Sequence, residues 1–93
     1  MNSVGTGITA QALQARLREQ LAAEPVEVLD ESVAHLGHAG QDGTGVGTHF
    51  RVRIASPMFA GRTKVACHRL VYDALRDYID RDRGIHALAI ELL

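Results

Sequence analysis

The sequence predicts a small α+β domain with the element order α-β-β-α-β, in which the helices cover one face of a three-stranded mixed sheet. Apolar residues recur at helical spacing in two segments, while Phe50–Ile54 and Ile85–Leu93 alternate as strands do. The chain has 93 residues, of which 46% are hydrophobic, so it can bury one modest core. We therefore expect a single domain over residues 8–93, preceded by a flexible N-terminus at Met1–Gly7.

The first helix is predicted from the residues that start and stop it. Thr9 can accept a hydrogen bond from the first amide groups of the helix, and Ile8 and Leu13 are spaced as a hydrophobic staple. Pro25 ends the helix because its ring cannot continue the hydrogen-bond ladder. The apolar stripe consists of Leu13, Leu17 and Leu21.

The next two segments read as a hairpin. Val26–Val28 alternates as a half-buried strand, and Phe50–Ile54 alternates more cleanly, with its apolar side chains on one face. Between them, residues 35–47 contain five glycines, a density that predicts a mobile loop.

A second helix and a last strand complete the fold. Pro57 and Gly61 interrupt the chain, which leaves room for a short turn or helical turn around Met58–Arg62. We expect the returning helix to begin at His68 and the final strand to follow Gly84. The apolar residues of the helix are Leu70, Val71, Ala74, Leu75, Tyr78 and Ile79.

Composition excludes several classes of function. The single cysteine, Cys67, rules out an internal disulfide or a Cys-x-x-Cys site, and a formal charge of −1 gives no global attraction to phosphate. No apolar run approaches the length of about 20 residues that spans a bilayer, and Met1–Gly7 lacks the features of a secretory signal, so we expect a cytoplasmic protein. No spacing predicts a nucleophile elbow, a phosphate loop or a paired-carboxylate site, which favours a non-enzymatic role.

Topology predicts where the histidines meet. A strand–helix–strand unit in one sheet normally makes a right-handed crossover between parallel strands, so the third strand should start beside the start of the second. His35 and His86 should then converge, with His38 and His49 nearby and His68 towards the opposite edge. Imidazoles from a rigid strand and a flexible loop suit a borderline metal centre that takes further ligands from elsewhere.

Motifs across most of the chain resemble those of the BolA family. They are Asp30-Glu31-Ser32-x-x-His35, Thr48-His49-Phe50-Arg51-Val52, Phe59-x-Gly61, His68-Arg69-x-Val71-Tyr72 and Ile85-His86-Ala87-Leu88. The resemblance implies a class II KH-like fold and a [2Fe–2S] cluster shared with a monothiol glutaredoxin and its bound glutathione. It also implies His86 and His35 as the ligands from this chain, with His38 as the alternative in the loop, and no cluster in the isolated chain.

Other interpretations of these residues remain open. We expect His38 and His49 to be hydrogen-bonded surface residues, and His68 and Cys67 to be structural. A DNA-binding transcriptional regulator is the alternative function, because the turn–helix region and the second strand carry basic residues. Those residues are Arg51, Arg53, Arg62, Lys64 and Arg69.

Overall fold

The computed structural model describes residues 7–32, 48–81 and 84–93, and its element order agrees with the predicted one. The helices and strands are α1 (Ala10–Leu21), β1 (Val26–Asp30), β2 (His49–Ile54), α2 (Lys64–Ala74), α3 (Arg76–Ile79) and β3 (Ala87–Leu92). A 3-10 turn at Pro57–Phe59 occupies the predicted turn region after β2. Residues 1–6 of the expected flexible N-terminus at Met1–Gly7 lie outside the described residues, as does the expected mobile loop at 35–47.

The three strands form one sheet in the order β1-β2-β3. β1 pairs with β2 antiparallel, with Val28 opposite Val52, and β2 pairs with β3 parallel, with His49 opposite Ala87. The predicted α+β class, the pairing of the first two strands and the parallel third strand are therefore confirmed. β1 begins at Val26, as predicted, and continues two residues beyond the predicted end at Val28. β3 begins at Ala87, two residues after the predicted start at Ile85.

The core lies between the helices and one face of the sheet. Leu13, Leu17 and Val71 are fully buried from the helical side, and Phe50 and Val52 are almost fully buried from β2. The predicted inward face of the last strand is also confirmed, since Leu88, Ile90 and Leu92 pack against this cluster. The opposite face of the sheet carries the charged residues of β2, and the sheet is thus covered on one side only.

The predicted start of α1 is confirmed in detail. The Thr9 hydroxyl accepts a hydrogen bond from the Ala12 amide at 3.1 Å, and both Ile8 and Leu13 are buried as a hydrophobic staple requires. The Gln14 side chain accepts a hydrogen bond from the Val28 amide at 2.9 Å. Because β1 is an edge strand, this contact satisfies a backbone donor that would otherwise face outwards.

The predicted start of the second helix is wrong. α2 begins at Lys64, where the Thr63 hydroxyl accepts a hydrogen bond from the Ala66 amide at 3.1 Å, so His68 lies within the second turn. Thr63 is the N-cap residue of this helix, so the helix starts four residues before the predicted position. The helical segment is also divided at Leu75, where ψ is 12°, into α2 and the short α3.

An ion pair joins α1 to α3 on the surface. The Arg16 guanidinium binds both oxygens of the Asp77 carboxylate and also donates to the Ala74 carbonyl at 3.0 Å. Its hydrogen bond with Asp77 holds the pKa of that carboxyl below its ordinary value. The same guanidinium lies 4.8 Å from the centre of the Tyr78 ring, which adds a cation–π contact.

We expect this pair to make stability depend on acidity. Since the pKa of Asp77 is lower in the folded state, its contribution is present above the pKa of the unfolded chain and is lost as pH falls through the folded value. Thermal melts from neutral pH down to about pH 3 should therefore show a shallower acid loss for Asp77→Asn than for the natural chain. Asp80→Asn, at the C-terminal end of α3, is the matched control. Equal acid slopes for Asp77→Asn and the natural chain would contradict the assignment.

Candidate metal centre

His86 is exposed at the entry to β3, and backbone hydrogen bonds fix its position. The amides of His86 and Ala87 both donate to the Thr48 carbonyl, at 2.8 and 3.2 Å. The preceding residue is held as well, because the Ile85 amide donates to the Tyr78 carbonyl at 3.0 Å. The predicted placement of His86 beside the start of the second strand is confirmed.

Gly84 sets the direction in which the chain approaches His86. A Cβ atom at this position would lie 2.6 Å from the carbonyl oxygens of both Tyr78 and Ile79. These contacts are too short for any side chain, so only glycine permits the close passage between α3 and β3. Gly84 was predicted only as the end of a helical segment, and its packing role was not visible in the sequence.

Ser32 links the end of β1 to the residues at the start of β2. Its side chain is fully buried, and its hydroxyl accepts hydrogen bonds from the amides of Thr48 at 2.9 Å and His49 at 3.1 Å. Its own amide donates to the Asp30 carboxylate at 2.9 Å. Ser32 therefore joins the end of β1 to the residue whose carbonyl holds His86. The motif contained Ser32, but nothing in the sequence assigned it this role.

His49 is the imidazole nearest to His86 among the residues that the structure describes. The two ring centres are 6.1 Å apart and the rings are nearly perpendicular, at 79°. Nδ1 of His49 lies 2.9 Å from the Thr48 hydroxyl. The expected hydrogen bond of His49 is therefore confirmed, as is its expected proximity to His86.

Of the other predicted histidines, His35, His38 and His68, the structure describes only His68. His35 and His38 lie outside the described residues, so their convergence with His86 remains a prediction. His68 is half-buried on α2, and the neighbouring Cys67 is buried with Sγ 3.7 Å from the Phe59 carbonyl. Because Phe59 follows the far end of β2, the only thiol of the chain lies away from His86.

A shallow groove lies beside His86. Its volume is about 170 Å³. The residues that line it are Tyr72, Ile79, Ile85, His86, Ala87 and Leu88. The Tyr72 hydroxyl donates to the Leu88 carbonyl at 3.3 Å across the outer edge of β3. The exposed imidazole therefore stands at the rim of a surface that is partly apolar.

The described residues do not by themselves form a complete donor set for a metal ion. Within residues 7–32, 48–81 and 84–93, no group of three or more histidine, cysteine, aspartate or glutamate side chains is arranged to hold a metal ion. Exposed imidazoles supply nitrogen ligands of the kind that a [2Fe–2S] centre with mixed ligation uses. Further ligands would have to come from outside this part of the chain.

The arginines of the open sheet face are paired with carboxylates. Arg51 contacts Glu31 at 2.9 Å and Glu91 at 2.8 Å, and Arg53 contacts Glu27 and Glu91 at 3.3 Å each. The hydrogen bonds with Glu31 and Glu91 raise the pKa of Arg51. Two positive charges thus lie among three negative ones, which leaves little attraction for a phosphate backbone.

The other candidate basic residues lie on a different surface. Lys64 and Arg69 are exposed on α2, and Arg62 precedes that helix, with its Nε donating to the Met58 carbonyl at 2.7 Å. Since α2 packs on the face of the sheet opposite Arg51 and Arg53, the five residues do not form one patch. No helix in the described part of the chain is long and apolar enough to cross a membrane.

Ser32 provides a direct test of how the site is positioned. In Ser32→Ala the amides of Thr48 and His49 lose a buried acceptor, which should lower the free energy of unfolding by about 1–3 kcal/mol. The ring resonances of His49 and His86 should shift in the nuclear magnetic resonance spectrum.

Ser56→Ala is the control for that test. Ser56 donates to the Leu21 carbonyl at 2.6 Å near the other end of β2, so its loss should lower the melting temperature without moving the histidine resonances. Unchanged stability and unchanged resonances in Ser32→Ala would show that Ser32 does not organise the site.

Comparison with known proteins places the chain in a family. The family model described as BolA-like protein matches residues 17–93. A Sinorhizobium protein named "Uncharacterized protein in cobS 5'region" is 45% identical over 82 residues, which cover 87% of this chain and 85% of that protein. Protein BOLA1, chloroplastic, of Arabidopsis thaliana is 45% identical over 93 residues, which cover 91% of this chain and 57% of that protein.

Solved structures agree with this assignment. The BolA domain of SufE1 from Arabidopsis thaliana superposes with a TM-score of 0.74 at 38% identity, covering 89% of this chain and 87% of that one. BolA1 from the same plant gives a TM-score of 0.73 at 36% identity, covering 91% and 89%. The sequence match and the shared fold lead to one conclusion: this chain belongs to the BolA-like protein family.

Proposed function

We propose that this chain is a non-enzymatic accessory protein that binds a monothiol glutaredoxin and shares a [2Fe–2S] cluster with it. Its role would lie in the assembly, trafficking or sensing of iron–sulfur clusters. The observation that carries the proposal is the exposed His86, fixed by the backbone at the rim of the groove that Tyr72 and Leu88 line.

The chemistry of the donors explains why the cluster would be shared. A [2Fe–2S] cluster takes four protein ligands, and two of them can be imidazoles on one iron. This chain offers the imidazoles of His86 and His35, while its only cysteine is buried near Phe59. The thiolates must then come from a partner, and a monothiol glutaredoxin with bound glutathione supplies two of them.

In this proposal His86 is the fixed ligand, and the loop supplies the second one. His35 follows Ser32 by three residues in the sequence, and the Ser32 hydroxyl accepts a hydrogen bond from the amide of Thr48, whose carbonyl holds His86. His38 is the alternative loop ligand. The groove next to His86 is a surface that the glutaredoxin would cover around the cluster.

DNA-binding regulation ranks second. The basic residues that would support it are divided between two faces, and those on the sheet are paired with carboxylates. Nanomolar binding of one DNA sequence at physiological salt would reverse this order. The cytoplasmic location remains a prediction, because Protein BOLA1 and SufE-like protein 1 of Arabidopsis carry organelle names.

The test is co-purification of this chain with a monothiol glutaredoxin and glutathione after cluster reconstitution. We expect a coloured heterodimer with a charge-transfer spectrum different from that of the glutaredoxin alone, and a colourless chain when it is reconstituted alone. His86→Ala should abolish the heterodimer spectrum without unfolding the domain, because exposed substitutions cost within about 0.5 kcal/mol.

His68→Ala is the matched control, since His68 lies on α2 and does not line the groove beside His86. It should leave the heterodimer spectrum unchanged. A normal spectrum in His86→Ala, or a long-lived stoichiometric cluster on the isolated chain, would contradict the proposal.

A further inference from the structure

The outer edge of β3 presents a row of backbone hydrogen-bonding groups. Ala87 and Leu93 turn their amides towards the neighbouring strand, whose flanking and terminal carbonyls accept them. Because successive residues of a strand point their backbone groups in opposite directions, the next set points away from the sheet. This set consists of Leu88, Ile90 and Leu92. No further strand lies beyond β3 in the described part of the chain, so this row forms an edge of the sheet.

Exposed apolar side chains lie along the same edge. Tyr72 is 40% exposed, and its hydroxyl reaches the Leu88 carbonyl from the outer side of β3. Val65, which is 62% exposed, precedes Tyr72 by seven residues and therefore lies on the same side of α2. Leu93, directly after β3, is 60% exposed. A strand edge bordered by apolar side chains is suited to pairing with another strand.

A second copy of this chain matches the edge in one antiparallel register. With a two-fold axis at Ile90, Leu88 of one copy lies opposite Leu92 of the other, so the outward backbone groups of both strands meet. The same axis brings Tyr72 of one copy towards Val65 of the other, because α2 returns along β3 from its far end. The exposed apolar side chains of the two copies thus cover one another.

The charges of the open sheet face also fit this register. Ala89 of one copy lies opposite Glu91 of the other, and Arg51 is the neighbour of Ala89 on β2. Arg51 already extends past Ala89 to Glu91 of its own chain at 2.8 Å, so it has the length to bind Glu91 of the second copy. A two-fold axis at Glu91 would instead set two carboxylates directly opposite each other, which is unfavourable.

We propose that the outer edge of β3 is a self-association surface, at which two copies of this chain pair antiparallel through Leu88–Leu92. Each copy contributes its three strands, so the dimer has one continuous sheet across the two-fold axis. The interface combines backbone pairing, the contact of Tyr72 with Val65 and the ion pair of Arg51 with Glu91. It requires neither a metal nor a glutaredoxin and is independent of the proposed cluster sharing.

Sedimentation of the isolated natural chain between about 10 µM and about 1 mM tests the proposal. We expect a reversible equilibrium between monomer and dimer in this range. Amide hydrogen exchange on the same samples locates the interface, because the amides of Ile90 and Leu92 should exchange more slowly as the dimer forms. A chain that stays monomeric throughout, with exchange at these amides independent of concentration, would overturn the proposal and leave the edge to a strand of another protein.

A pair of opposite charges at Ala89 tests the register. Ala89→Glu sets a carboxylate opposite Glu91 of the second copy at two symmetric places, and it should raise the dimer dissociation constant at least about tenfold. Ala89→Lys sets an ammonium group there and should keep the dimer. Circular dichroism and a thermal melt of each variant establish that the fold is retained. If either variant fails to fold, the exchange measurement on the natural chain decides alone.

Leu29→Glu is the control for the other edge of the sheet, because Leu29 is exposed on β1. It should dimerise as the natural chain does. A natural dissociation constant in folded Ala89→Glu would overturn the proposal, as would a loss of the dimer in Leu29→Glu alone. The heterodimer spectrum is a separate measurement, so failure of one proposal leaves the other standing.

Discussion

The parallel pairing of β2 with β3 is the constraint on which the candidate site depends. Because the two strands run in the same direction, β3 begins beside the start of β2. The Thr48 carbonyl can therefore accept hydrogen bonds from the amides of His86 and Ala87. An antiparallel third strand would have carried His86 to the far end of β2, near Ile54. The site is therefore a consequence of the strand–helix–strand connection, and the helices matter to it chiefly because they return the chain to this edge.

The side chains of the central strand, β2, alternate between the buried core and the exposed face of the sheet. Phe50, Val52 and Ile54 face the helices and are buried, while Arg51 and Arg53 face outwards among carboxylates. The positive charges on this face are paired with negative ones, so the face attracts an anionic partner only weakly. At the start of this strand, the half-buried His49 lies beside the exposed His86, and His86 lines a small groove.

Periodicity and topology predicted the elements, the parallel third strand and the position of His86, because each depends on local pattern or on a general rule of connection. The residues that hold the site could not be predicted in the same way. Ser32 acts through a buried hydroxyl between distant segments, and Gly84 acts through a close approach to two carbonyls. Both effects depend on tertiary contacts, and such contacts produce no periodic pattern in the sequence. The second helix begins before His68 because the Thr63 hydroxyl accepts a hydrogen bond from the Ala66 amide and caps it.

The central claim is that imidazole nitrogen from this chain ligates a cluster held jointly with a glutaredoxin. The most direct measurement is electron–nuclear double resonance of the reduced heterodimer, prepared with isotopically labelled histidine nitrogens in this chain only. We expect strong hyperfine coupling of the labelled nitrogens to the reduced iron. A paramagnetic cluster that shows no coupling to labelled nitrogen would contradict it, because every ligand would then belong to the partner.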